Sequence, residues 1–164
     1  MGFFSNIANS ITGNWADVSV SAQPAARGEA APFSVRVAVK SNEMEFEKII
    51  VEVACAEIIE IPNYRDTGSN PVQHKGTGVS VGTGSGHQIN VKTRESLFTQ
   101  EIQVSGAGKL AANAQQTYEG SVNLPANLPP SMRGRHARFE WQVRASIAMR
   151  GNDPDSGWQP FEVR

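Results

Sequence analysis

The sequence predicts an all-β protein, a two-sheet antiparallel β-sandwich with one short N-terminal helix, and three observations carry that prediction. Apolar residues alternate with polar ones in separate stretches: Phe33, Val35, Val37 and Val39 keep one phase, as do Phe139, Trp141, Val143, Ala145, Ile147 and Met149. Successive side chains on a strand point to opposite faces, so each stretch describes a strand with one buried face. Clusters of Gly, Pro, Asn and Asp separate the stretches, and about eight short strands with turns between them account for the chain. Finally, three prolines fall within Leu124-Pro125-Ala126-Asn127-Leu128-Pro129-Pro130-Ser131. Proline fixes φ and donates no hydrogen bond, so this segment ends one strand and turns the chain before the next.

With 164 residues the chain has the length of one domain. At that size about 70% of the unfolded surface can be buried, with no need of metal or disulfide support. The expected organisation is a helix over residues 1–13 and a single sandwich over residues 14–164, with a long loop or protruding hairpin at about 62–88.

In order along the chain, Phe4, Ile7 and Ile11 stand at helical spacing and Gly13-Asn14 stops them. Such a helix would plug one end of the sandwich or pack against a second copy. A membrane-surface helix would carry Lys or Arg on its polar face, and the first cation is Arg27, so membrane contact is not expected. Val18, Val20 and Ala22 alternate, Pro24 to Glu29 turns, and the Phe33 to Val39 strand completes a hairpin-like pair. A long strand follows from about Phe46 to Ile61. Ile49, Val51, Val53 and Cys55 share one side of it, and adjacent Ile58 and Ile59 break the alternation, as a bulge or a crossing between sheets would.

From Pro62 to Gln88 the residues are polar and Gly-rich, with Gly76, Gly78, Gly82, Gly84 and Gly86 close together. Strand character resumes at Ile89-Asn90-Val91-Lys92, and again where Phe98, Ile102 and Val104 share a face. Gly106-Ala107-Gly108 turns the chain, and Thr117, Tyr118, Val122 and Leu124 lead up to the proline segment. Beyond the strand around Trp141, Gly151-Asn152-Asp153-Pro154-Asp155-Ser156-Gly157 is a turn, and Phe161 and Val163 share a face of a closing strand.

Fifteen basic and sixteen acidic residues nearly cancel, which excludes the broad basic field of a nucleic-acid binder and the acidic excess of a disordered chain. Charge is unevenly spread, however. Up to Asp66 five Lys and Arg face nine Asp and Glu, and from Thr67 on ten face seven. Complementary strands packed in one domain explain that split. Cys55 has no partner for a disulfide and falls on the apolar side of its strand, as an inert buried thiol does. No apolar run reaches the ~20 residues of a membrane span. The first residues do not form a secretory signal, and Asn6 stands where a myristoylation pattern wants Ser or Thr, so the expected location is cytoplasmic.

Three places carry a resemblance to a known family. These are Met1-Gly2-Phe3-Phe4 ahead of a strand, Leu124-Pro125 followed by Pro130-Ser131 and Gly134, and Trp141, Val143 and Ala145 followed by Phe161 and Val163. This order is similar to the arrestin-like superfamily, which includes arrestins, retromer-type sorting subunits and bacterial sporulation-control proteins. The resemblance implies an immunoglobulin-like sandwich in which the proline-tipped strand and the Gly-led strand after it cross from one sheet to the other. It is good over roughly the last third of the chain and elsewhere rests on strand order. Family members continue into a second sandwich, so the expectation here is a single arrestin-like lobe, with the stretch from Gly76 to Gly86 as an insertion. The function implied is that of a non-enzymatic adaptor or scaffold that binds a protein partner through strand edges and loops. A structural part in a larger homo-oligomeric assembly is the alternative.

Patterns that would support other chemistry are incomplete. Gly82-Thr83-Gly84-Ser85-Gly86 runs into His87-Gln88-Ile89, a strand start, where a phosphate loop needs Lys and a helix N-terminus. His74, His87 and His136 lack the paired short spacing of zinc ligands, and Asp153-Pro154-Asp155 is a turn rather than a calcium loop. Glu43, Glu45, Glu47, Glu52, Glu57 and Glu60 read as a solvated face. A hydrolase or carbohydrate-processing enzyme would instead need two of them across a cleft. No catalytic residue, cofactor or metal is therefore expected. Arg133, Arg135, His136, Arg138 and Arg144 form the one basic cluster, in which Arg138 and Arg144 read as half of a cross-strand ion-pair ladder with the acidic strand. The functional reading makes Arg133, Arg135, Arg138 and Arg144, with Phe3 and Phe4, the partner-binding residues, since guanidinium forks hold carboxylate or phosphate bidentately.

Overall fold

The computed structural model describes residues 15–65, 88–151 and 153–164. The helix expected over residues 1–13, the Phe3 and Phe4 site and the Gly-rich stretch lie outside the described residues. Ten strands follow in order: β1 Ala16–Ala22, β2 Ala30–Val39, β3 Met44–Phe46, β4 Lys48–Arg65, β5 Gln88–Ser105, β6 Gly108–Leu110, β7 Gln115–Asn123, β8 Met132–Arg133, β9 Ala137–Ala148 and β10 Gln159–Phe161.

They form two facing sheets and a small ribbon. One sheet has the order β1-β2-β7, the other β10-β9-β4-β5 with β8 added to the edge of β9, and β3 pairs with β6; every strand pair is antiparallel. The hairpin-like pair is β1 and β2, in register from Ala16 opposite Val39 to Ala22 opposite Phe33. The proline segment leads from β7 in the small sheet to β8 and β9 in the large one, the crossing that the Leu-Pro and Pro-Pro-Ser spacing predicts. Beside that crossing, a parallel bridge from Ala25 to Val163 also ties the sheets together, with Ala25 N–H donating to Glu162 O and Arg164 N–H to Ala25 O.

The core lies between the sheets. Phe33, Val35 and Val37 of β2 meet Ile49, Val51, Val53 and Cys55 of β4 and Trp141, Val143, Ala145 and Ile147 of β9, all buried. Trp141 anchors it at 1% exposure. Its ring tilts against Phe98 at 5.7 Å between centroids and meets Phe161 edge-on at 6.2 Å, while its indole N–H donates to Pro129 O at 2.9 Å. A buried tryptophan needs such an acceptor, and here the proline turn supplies it.

Phe139 departs from the expectation. Although it shares the phase of Trp141, it is only half-buried and stands outside the inter-sheet core. The first residues of β9 run past the layer in which the two sheets face each other, and Phe139 is paired there with Met132 of β8, itself 48% exposed.

The irregularity at Ile58 and Ile59 also has a different origin. The β4 and β9 ladder is unbroken from Lys48 opposite Ala148 to Ile59 opposite Ala137. Along that stretch the bulges are on β5, where Val104 and Leu97 are extra residues against Ile49-Ile50 and Cys55-Ala56; a third irregularity, between Ile61 and Tyr64, puts the extra residue on β4 beyond the end of the β9 ladder. The two on β5 join what the alternation shows as two strands into one. Ala56 and Ile58 are buried without belonging to the core, and lie on the outer face in phase with Glu52 and Glu60. Ile58 has Arg138 on one side and Arg94 on the other. Arginine stems cover apolar surface while their heads stay wet, and that is how an outward Ile58 is buried.

Candidate functional site

The outer face of the large sheet carries an ion-pair ladder across three strands. Arg138 donates to Glu60 at 2.8 Å and to Glu140 at 2.6 Å, Lys92 of β5 reaches Glu60 at 2.9 Å, and Arg94 reaches Glu140 at 3.8 Å. Farther along, Arg144 holds Glu52 at 2.7 Å and stacks on the Trp158 ring at 4.9 Å. This is the pairing of β9 arginines with the acidic strand that the alternating charges of β4 and β9 describe.

Hydrogen bonds from Arg138 and then Lys92 hold the Glu60 carboxyl down from 4.5 to about 2. The folded value is below the unfolded one, so ionised Glu60 stabilises the fold at neutral pH. That contribution shrinks as pH drops below the ordinary 4.5 and is gone below about 2. Glu60→Gln is therefore expected to melt below wild type near neutral pH, with the gap closing as both proteins are taken down through this acid range. A gap of constant size would show that Glu60 ionisation contributes nothing.

Of the residues singled out from the sequence, Arg133, Arg135 and Arg138 meet at one end of β9. Arg133 is exposed on β8 directly across from Arg138, and Arg135 sits in the tight turn closed by Gly134 N–H donating to Ala137 O. Arg144 is six residues along the strand from Arg138, roughly 20 Å at strand rise, and belongs to a separate cluster.

At the Arg133 end, a groove of about 520 Å³ opens beside β9. Its physical origin is a gap in the strand order. β8 covers the β9 edge at Arg138 and Phe139, and β10 covers it from Trp141 to Val143, so only Glu140 between them has no neighbour on that side. Where β8 and β10 converge, Ser131 N–H donates to Val163 O and Val163 N–H donates to Ser131 Oγ at 2.9 Å, pinning the groove's back wall. Met132, Phe139, Trp141, Pro160 and Phe161 form apolar walls, and Arg133 and Glu162 stand at the rim. The volume falls within the range of about 300–1,000 Å³ over which small-ligand pockets and side-chain clefts bind.

The sequence reading missed Met132, Phe139 and Pro160 as groove residues. Met132, between Pro-Pro-Ser and Arg-Gly, is apolar in a segment otherwise built for turning, and that was the one available signal.

Other constellations resolve into structure. Burial pushes the Cys55 thiol up to about 11, which keeps it protonated and unreactive. Asp153 accepts from Met149 N–H at 3.0 Å and Asp155 from Gly157 N–H at 2.7 Å, so both carboxylates serve the turn. Among the described residues no group of three or more His, Cys, Asp and Glu is placed to hold a metal ion, and no helix is long and apolar enough to cross a membrane.

Comparison with solved structures matches the chain to Spo0M, the sporulation control protein from Bacillus subtilis, with a TM-score of 0.59 and 14% sequence identity over 92% of this chain. The chain has the arrestin-like fold. It spans about half of Spo0M, 49% of that chain. The arrestin-like sandwich also overlaps the alkylpurine DNA glycosylase AlkC from Pseudomonas fluorescens, bound to DNA containing an abasic site analog. That overlap has a TM-score of 0.39 and 15% identity over 93% of this chain and 31% of that one, too slight to bear on fold or activity. No family model and no curated protein matches the sequence.

Proposed function

We propose that this chain is a non-enzymatic adaptor module that binds a protein partner by seating part of an extended segment in the groove beside β9. The observation that carries this reading is the groove itself, an apolar cleft at a sheet edge with a half-exposed methionine at its mouth. Since only Glu140 is left uncovered between β8 and β10, a visiting segment gains side-chain burial there more than a long backbone ladder. Met132, Phe139 and Pro160 supply the kind of apolar, partly wet surface in which a single inserted side chain dominates affinity. The arrestin-like fold is compatible with an adaptor but does not specify one. A cytoplasmic location is part of the same proposal, and the single reduced cysteine supports it.

The test is quantitative affinity capture from the native cell with wild type and Met132→Glu, followed by reconstitution with the purified protein that wild type retains. Retention and micromolar binding that both fall at least tenfold in the variant are expected. If no retained protein depends on Met132, the groove is not the docking site.

A second reading, assembly of identical copies, is supported by β5. This strand has eighteen residues and pairs only with β4 among the described strands, leaving a long edge. Light scattering at rising concentration distinguishes the two: a mass that stays at one chain disposes of assembly through β5.

A further inference from the structure

Resting on the groove as a docking site, we infer that the segment it receives is acidic: an apolar side chain enters between Met132, Phe139 and Pro160, and a carboxylate close to it in sequence is held by Arg133 or Arg135. The charges around the groove lead to this choice. Each carboxylate that lines the groove or the cleft next to it is already neutralised, Glu60 by Arg138 and Lys92, Glu140 by Arg138 and Arg94, and Glu162 by Arg164 at 3.0 Å. Arg133 and Arg135 are exposed and have no ion-pair or hydrogen-bond partner among the described residues. Arg133 lines the groove, and Arg135 borders the neighbouring cleft formed by Glu60, Pro62, Asn90 and Lys92.

The groove therefore offers one unused guanidinium and the cleft next to it another, and the lining of neither offers an unused carboxylate. A guanidinium fork matches a carboxylate bidentately. A basic segment would meet Arg133 and Arg135 as like charges and find each acid taken, a repulsion that selects against it as much as the attraction selects for an acid. The cationic groups sit beside the apolar cleft, so the two features are recognised together only when they are neighbours in the visiting chain.

The experiment selects random twelve-residue peptides, displayed on phage, against wild type, Met132→Glu and Arg133→Glu, after thermal melts show that both variants remain folded. Both substitutions are at exposed positions, so folding is expected to be kept. The expected result is a set of peptides that wild type enriches and Met132→Glu loses, rich in Asp or Glu within about three residues of a large apolar residue. For such a peptide Arg133→Glu should weaken binding about tenfold and raised salt should weaken it further, as a rim charge contact does. Peptides that depend on Met132 but are neutral or basic would overturn the acidic inference and leave the docking site standing. The absence of any peptide that depends on Met132 would overturn both.

Discussion

Trp141→Ala is expected to destabilise the fold by about 3–5 kcal/mol, the range for removing a large aromatic from a close-packed core. For a domain of this size that is a fall in Tm of roughly 6–20 °C. Two costs combine. The cavity forms where Trp141 meets Phe98 and Phe161, both partly exposed or at the margin of burial, so collapse there would open the inter-sheet layer to water. Pro129 O also loses its indole donor. Trp141→Phe separates the two, because it keeps most of the apolar volume and deletes only the donor; its loss should be about 1–3 kcal/mol. A melt of Trp141→Ala within about two degrees of wild type would mean that Trp141 does not hold the sandwich together.

Gly120→Ala should cost about 1–3 kcal/mol although it adds one methyl group to a strand, where alanine is ordinarily no worse than glycine. Gly120 of β7 lies opposite Phe33 of β2, and a Cβ placed there would sit 2.6 Å from the tip of the Phe33 ring. Phe33 is buried at 3% exposure and has little room to swing away. The same device recurs at Gly108, opposite Phe46, where the Cβ would be 2.9 Å from the ring. In both pairs an aromatic ring lies over the bare backbone of its cross-strand glycine and covers it. A double-mutant cycle isolates the effect: in a Phe33→Ala background, Gly120→Ala should be neutral or stabilising. If its cost were the same in both backgrounds, the ring contact would not be the cause.

How far the residues alone reach can be judged from these cases. The burial of Trp141, Val143, Ala145 and Ile147 follows from strict alternation, because a strand has no other way to sort its side chains. The ladder of Arg138 and Arg144 with Glu60 and Glu52 was legible for the same reason, since the other phase of each strand is charged. The crossing between sheets is written in proline, a local property of φ and of a missing donor. The candidate groove was half legible, as Arg133 and Arg138 stand out by charge while its apolar walls do not.

What local pattern cannot contain is which strand lies beside which, and in what register. Phe139 alternates in perfect phase with Trp141, yet its place is outside the core, because the extent of the opposing sheet decides whether an inward residue is covered. Gly108 and Gly120 look like turn and strand breakers until pairing sets each one opposite a phenylalanine. Leu97 and Val104 become bulges only because β4 keeps an unbroken ladder with β9 on its other side, forcing β5 to absorb the mismatch. The groove itself exists because β8 stops and β10 begins on either side of Glu140. Alternation and proline act within a few residues and so survive in the linear order; pairing depends on contacts between segments far apart in the chain, and only folding brings those together.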